Sequence, residues 1–505
     1  MFPAIQLEED CHTVAPFIIV RNRRNGLGAY SLMCAYNRIG GKAACANDVL
    51  ERDILRGEWK FPGYIVSDCG AIDNIYLRHK VAGTAAAAAA IAVKTGTDLD
   101  CGRVYPNLVD AVSQGLITES QIDTSVQRLF LARMKLGMFD LPEHVRWASI
   151  PLSVLDQPSH RALALQVARE SMVLLKNAGG TLPLRKSLGT IAVIGPNADA
   201  GKRYALRIEA EETYGDASLQ FVASVPHETL AAEAEGAARQ ADAVVMVMGL
   251  TARLEGEEMP VAIEGFRGGD RTRIDLPAAQ ERLLKRITAL GKPTVLVLLN
   301  GSAVAVNWAQ DHVPAIVEGW YPGQAGGTAL ADVLFGDYNP AGRLPVTFYR
   351  DTTDLPPFNN YDMAGRTYRY FAGKPLYAFG HGLSYTTFRY SGLRTNTVSL
   401  SPRGAITVTV DVTDTGKRAG DEVVQLYARH IGSKLTRPNR DLRGFRRIAL
   451  EPGQKRSVSF SVPASSLAWW NAATHAWKVE ADTIAFEVGA SSADIRATRK
   501  VRVKL

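Results

Sequence analysis

Short runs of consecutive apolar residues mark the first part of the chain. Residues 30–35 (YSLMCA) and 64–67 (YIVS) read as buried strands, each followed by a segment of helical period. The alanine-rich stretch at 85–90 leads to a further short strand around 91–94. Strand, crossover and strand is the grammar of a parallel α/β fold. Residues 106–137 contain two helices, the second opened by Thr118 with Gln121 three positions on and closed by Gly137. A proline-bearing linker ends near residue 157. Beyond it the pattern predicts a helix at 160–176, then strands at 190–195, 243–250 and 294–301, with a helix in AAQERLLKRITALG. PAIVEGWYPG, 314–323, adds another strand and loop. Continuous Val, Ile and Leu strands between helices imply a second, open sheet covered on both faces. A long aromatic-rich connection containing YRYF and LYAFGHGLSY follows. From about Ser391 the period changes to two. AITVTVDVTDTG, DEVVQLYAR and QKRSVSFSVP alternate apolar and polar positions between turns, as strands of an antiparallel sandwich do.

Composition refines this picture without redirecting it. A length of 505 residues suits three or four domains, and 46% apolar with 22% charged residues is ordinary globular composition. A net charge of +7 is small for the size, and the basic residues are scattered among polar residues and glycine, so no nucleic-acid footprint emerges. The apolar run from Ala85 ends before Lys94, too short to span a bilayer. The opening MFPAIQLEEDCH places acids where a secretory signal needs bases, so no signal is expected in this chain and localisation stays open. The cysteines at 11, 34, 45, 69 and 101 make no CxxC pattern, and their odd number leaves one unpaired if the others join. The nine histidines are dispersed without HExxH or another metal spacing. No P-loop, GxGxxG or GxSxG motif is present, which argues against nucleotide binding and serine hydrolase chemistry.

Acids remain as candidate chemistry. Asp68 follows the YIVS strand at the end where parallel folds gather functional groups, and Asp98 and Asp100 in TGTDLDCG share that setting. Asp68 or Ser67 could equally cap the next helix. Glu255, Glu257 and Glu258 in LEGEEM follow the strand at 243–250. Such a loop is commonly just solvated. If it is partly enclosed, repulsion and desolvation help one carboxyl keep its proton. A glycosidase needs that division, with one carboxylate attacking the sugar while a protonated partner serves the leaving oxygen.

The segment SLMCAYNRIGGKAACANDVLERDILRGEWKFPGYIVSDCGA, residues 31–71, resembles glycoside hydrolase family 3, the β-glucosidase and β-xylosidase family. TGTDLDCG, ESMVLLKNAGGTLPL, GGDRTRIDLPAAQ, residues 308–343, YAFGHGLSYTTF and GDEVVQLYAR extend the match over most of the chain from about residue 30. The resemblance implies Asp68 as nucleophile and Glu255 as general acid/base, with Glu257 and Glu258 as alternates. It implies Tyr36, Asn37 and Asp98 around the sugar, Asp98 and Asp100 also orienting the last barrel loop, and no cofactor or metal. The implied reaction is retaining exo-hydrolysis of terminal β-D-xylosyl or β-D-glucosyl residues from oligosaccharides or aryl glycosides. Cys69, after the candidate nucleophile, is similar to the xylosidase and arabinofuranosidase branch, whereas family β-glucosidases commonly carry Trp there.

The implied fold is multidomain α/β. Residues 1–150 form the C-terminal part of a (β/α)8-type barrel and 158–350 an α/β sandwich. Residues 351–390 connect to a fibronectin-III-like sandwich at 391–505. Residues 201–226 resemble the closing strands of a PA14 insert, or are a simple hairpin on the sandwich. A full barrel takes roughly 250 residues. The match starts at the sixth strand, so the expectation is a shortened enzyme, or an inactive carbohydrate-binding or structural remnant. In either case, open apolar strand edges invite self-association.

Overall fold

The computed structural model describes residues 29–505, except 40, 198–205, 214–215, 223–226, 252–253, 256–260, 262, 269, 358–359, 361–362, 472–473, 475 and 505. It divides into two compact units, Met1–Val154 and Leu155–Leu505.

In the first unit, β1 (Ser31–Cys34) and β2 (Tyr64–Ser67) pair in parallel, Cys34 standing opposite Ser67. Leu32, Cys34 and Ile65 turn inward onto α1 (Ala71–Leu77) and α2 (Ala85–Thr95). Ala88, Ala89 and Ala92 are fully buried, and their small side chains let α2 pack closely. The strand expected at 91–94 is instead the end of α2. Alanine is the strongest helix former, Thr84 caps the helix by accepting from Ala87 N–H, and Gly96 stops it. The next extended segment comes later, where Leu99 makes a single parallel bridge to Val66. α3 (Leu108–Ser113) and α4 (Glu119–Lys135) follow, α4 beginning at the expected Thr118/Gln121 capping box. Disulfides join Cys34 to Cys45 and Cys69 to Cys101, while Cys11 lies outside the described residues.

The second unit opens with α5 (Pro158–Ser171), shorter than expected, because Met172 turns extended and residues 173–177 become β3 (Val173–Asn177). Four strands, β4 (Ile191–Ile194), β5 (Ala243–Gly249), β6 (Thr294–Leu299) and β7 (Ala315–Glu318), run parallel in spatial order β7, β6, β5, β4. β3 pairs antiparallel on the outer edge of β7. Alternate residues feed two cores. Val244, Met246 and Leu296 pack toward α6 (His227–Gln240) and α7 (Ala278–Thr288), while Val245, Val297 and Val317 pack toward α5 and α8 (Gly326–Phe335). The sheet is therefore buried on both faces, and its strands read as unbroken apolar runs. Strands Leu206–Thr213 and Asp216–Val222 form a hairpin after β4.

The C-terminal sandwich stacks a three-stranded sheet on a five-stranded one. The first contains the strand Ala405–Asp414 between Phe388–Thr395 and Lys455–Pro463, and the second centres on Gly420–His430 and Thr483–Gly489. Ile406, Val408, Val410 and Val412 are all fully buried, the period-two signature read from the sequence.

Candidate active site

Two acidic centres stand at the C-terminal ends of parallel strands, one in each unit. In the first unit Asp68 follows β2 directly. Its N–H donates to Cys34 O (2.9 Å) and holds the backbone to the end of β1. The N-cap of α1 is Gly70, with φ of 80° and no side-chain cap, so capping does not account for Asp68. Its half-buried carboxylate accepts one hydrogen bond among the described residues, from Cys69 N–H at 2.8 Å. The Cys69–Cys101 disulfide ties the residue after Asp68 to the loop bearing Asp100. Tyr36 donates its hydroxyl to Cys69 O beside Asp68. The Asn37 side chain turns to its neighbour's carbonyl, Arg38 O, at 3.5 Å.

Asp98, expected as a sugar contact, is enclosed instead. One carboxylate oxygen meets Arg56 (2.6 Å) and Ile65 N–H (2.9 Å), while the other meets Arg128 (2.8 Å) and the Ser125 hydroxyl (2.9 Å). With its side chain at 0% exposure it has no acceptor left for a hydroxyl, and it ties β2 to α4. Asp100 accepts from Val104 and Tyr105 N–H at 2.8 and 3.1 Å and shapes its own loop.

In the second unit Gly249 ends β5 at φ 125°, where a Cβ would collide with the Leu299 carbonyl. The exit loop then makes a turn, with Glu255 N–H donating to Thr251 O at 3.0 Å. Glu255 reaches across to the end of β6, accepting from Gly301 N–H (2.8 Å), Ser302 N–H (2.9 Å), and the hydroxyls of Ser302 and Tyr321. Burial pushes its carboxyl up, but these donors outweigh burial and hold it below the usual carboxylate range. Burial, reinforced by the same contact, raises the Tyr321 phenol. Arg271 braces the cradle from behind, donating to the Ser302 hydroxyl (2.9 Å) and Ala303 O (2.8 Å). The expected mutual elevation of the acidic loop does not apply to Glu255, because backbone and hydroxyl dipoles reach it. Glu257 and Glu258 lie outside the described residues.

Sequence reading missed Glu318, at the end of β7. It is fully buried, accepting from Trp320 N–H (2.9 Å) and Asn300 Nδ2 (3.1 Å). Burial pushes it up to about 8, against the pull of those two donors. The available signal was an acid closing an otherwise wholly apolar strand, AIVE. Elsewhere His430, Glu480 and Asp482 bring ligand-type atoms within 4.8 Å of one another. Those carboxylates already accept from His430 itself, the Ser433 hydroxyl and backbone N–H groups of residues 432, 434 and 483.

A parallel-strand acid in one unit, a second acid on an open α/β sheet and a terminal β-sandwich define a multidomain α/β architecture. Residues 25–132 match the glycosyl hydrolase family 3 N-terminal domain, 172–385 its C-terminal domain, and 422–492 a fibronectin type III-like domain. The chain is 32% identical to a xylan 1,4-β-xylosidase of Xylanibacter ruminicola, covering 92% of this chain and 72% of that one. It is 35% identical to a periplasmic β-glucosidase of Salmonella typhimurium, over 88% of this chain and 64% of that one. Among solved structures, a β-glucosidase from Erythrobacter marinus superposes with a TM-score of 0.81 at 32% identity, over 96% of this chain and 69% of that one. A family 3 exo-β-xylosidase bound to a xylobiose aziridine probe gives 0.77 at 29% identity, over 95% and 66%. This chain belongs to glycosyl hydrolase family 3.

Proposed function

We propose that the chain carries the machinery of a retaining exo-β-glycosidase acting on terminal β-D-xylosyl or β-D-glucosyl residues. Asp68 is the nucleophile. The observation that carries this is its placement, at a parallel-strand end, half-buried and away from the helix cap, with a single N–H on its carboxylate. Attack of a carboxylate oxygen on the anomeric carbon forms a glycosyl ester as the leaving oxygen takes a proton; water then cleaves the ester as a base takes its proton back. The acidic loop after β5 supplies this acid/base. Glu255 is its first candidate, with Glu257 and Glu258 as alternates. One residue must serve both halves of the cycle; the donors around Glu255 favour its ionised form, so as acid it must take up a proton against them.

Tyr36 lies beside the nucleophile turn as a sugar contact, with Asn37 its neighbour. Asp98 positions the strand. Both sugars stay open, since the relatives include xylosidases and glucosidases.

A second reading is a catalytically inactive remnant that binds carbohydrate or serves as scaffold. It is favoured by the first unit, where β1 and β2 are a two-stranded sheet with no further strand paired to them among the described residues.

Aryl β-xylosides and β-glucosides with leaving groups of graded pKa separate the readings. Asp68→Asn should lower turnover by about three orders of magnitude or more on every substrate. Loss of the acid/base, tested by Glu255→Gln, Glu257→Gln and Glu258→Gln in turn, should fall mainly on poor leaving groups. Absence of turnover in the unaltered chain selects the second reading. Unchanged turnover in Asp68→Asn removes Asp68 as nucleophile.

A further inference from the structure

We propose that Glu318 is a positioning residue that fixes both arms of the Glu255 cradle, an inference resting on the acidic-loop reading above. One arm is the turn after β6, carrying the Gly301 and Ser302 N–H groups. The other is the turn after β7, carrying the Tyr321 hydroxyl. Both arms lead back to one buried carboxyl.

On the first arm, Asn300 is fully buried, and its Nδ2 donates both to Glu318 Oε2 (3.1 Å) and to Ser302 O (2.8 Å). That second bond fixes the carbonyl of Ser302, the residue whose N–H and hydroxyl meet Glu255. Asn300 Oδ1 has no partner among the described residues, and there the two Nδ2 bonds set the orientation of the amide.

On the second arm, Glu318 Oε1 accepts from Trp320 N–H at 2.9 Å. Trp320 sits at φ 57°, a left-handed conformation that a bulky side chain resists. Its indole N–H donates to Ser171 O (3.1 Å), and its ring meets Phe348 edge-on at 6.2 Å between centroids. The turn is thus held open at one residue by Glu318 on the backbone side and by packing on the ring side. Tyr321, the next residue, is delivered to Glu255 as a result.

Glu255 spans the same two turns from the loop after β5, and Glu318 is the buried carboxyl that links them from within the sheet, through Asn300 and Trp320. An apolar residue in place of Glu318 would satisfy the packing of β7 while releasing Asn300 and Trp320 together. The retention of a carboxyl inside an otherwise apolar strand therefore has a geometric reason at the site.

Hydrogen exchange of the full chain, read amide by amide, tests this without requiring turnover. In Glu318→Ala, the Gly301 and Ser302 amides, which donate to Glu255 rather than to Glu318, should exchange at least about ten-fold faster. Amides of Thr294–Leu299 should keep their rates. Unchanged exchange at both positions overturns the proposal. Should the substitution loosen the whole sheet, Asn300→Ala cuts the first arm alone and must still accelerate Ser302 selectively, and failure there also overturns it.

Kinetics add a readout that general destabilisation does not mimic. If Glu318 acts through Glu255, the double variant Glu255→Gln/Glu318→Ala should be no slower than Glu255→Gln. Multiplying losses would overturn the proposal. Full activity in Glu255→Gln would remove Glu255 from the chemistry, while the exchange result would still decide whether Glu318 builds the cradle.

Discussion

Buried carboxyls in this chain divide by what reaches them. Asp98 has two guanidinium groups, a hydroxyl and an N–H on its oxygens. Glu51, equally enclosed in the helix Val49–Glu58, has among the described residues the Thr97 hydroxyl alone, at 3.0 and 3.1 Å from its two oxygens. Burial accordingly pushes Glu51 well up, the Thr97 bond opposes this, and the nearby Asp98 charge adds to it. A carboxyl raised in the folded state above its unfolded value of about 4.3 binds more protons folded than unfolded. Its contribution is fully present below about pH 4.3 and is lost as pH rises toward the folded value, by up to about 1.4 kcal/mol per pH unit. Glu51→Gln does not titrate, so melting curves of the two proteins should diverge from pH 5 to pH 8, the variant gaining with pH. Parallel curves would show that Glu51 is ionised in the fold. LERD falls in the segment of helical period after residues 30–35, and only packing reveals that its glutamate points inward. The same holds for Glu318 and Asn300. The place of Asp68 at a strand end was legible because its neighbours form a strand. The donors that set the state of Glu255 come from residues 46 to 66 positions away, which no local pattern encodes.

At the level of elements, local chemistry predicted starts better than identities. Thr118 and Gln121 form a reciprocal cap, with Gln121 Oε1 accepting from Thr118 N–H at 3.1 Å. The helix they open carries Phe130, Leu131 and Met134 at 42%, 43% and 60% exposure, so its packing stabilises it less than its apolar content suggests. Capping should then matter: Thr118→Ala is expected to cost about 1 kcal/mol, read by urea denaturation, with no change beyond error if the helix is held wholly by its buried face. Two elements were misassigned for one reason. Short apolar runs fit a strand and a buried helix equally, and neighbours decide. The 91–94 segment stayed helical because alanines on one face let α2 sink into the core. At 172–177 the run left the helix because an edge of the β3–β7 pairing was available, Val317 opposite Leu174 and Glu318 opposite Val173.

At the scale of the molecule, the sandwich and the fibronectin-type domain bury their strands on continuous cores, and both were readable as changes in period along the chain. The first unit is different. Its two-stranded sheet is followed by a C-terminal stretch in which Leu136, Met138, Phe139 and Leu141 stand 59–63% exposed, with Trp147 at 61% and Leu152 at 84%. Apolar side chains this close together are uncommon on a stable monomer's surface. The net charge of +7 gives weak mutual repulsion between copies, and salt screens it within about a nanometre. We therefore expect concentration-dependent self-association that strengthens as salt is raised, the opposite of an ion-paired interface. Light scattering coupled to size exclusion, run at two salt concentrations, reads both parts. Met138→Ser with Phe139→Ser should move the population toward monomer while the unfolding of the second unit stays unchanged. A monomer at all concentrations would show that these side chains are individually solvated. Dissociation by salt would place the contact on charged surface instead.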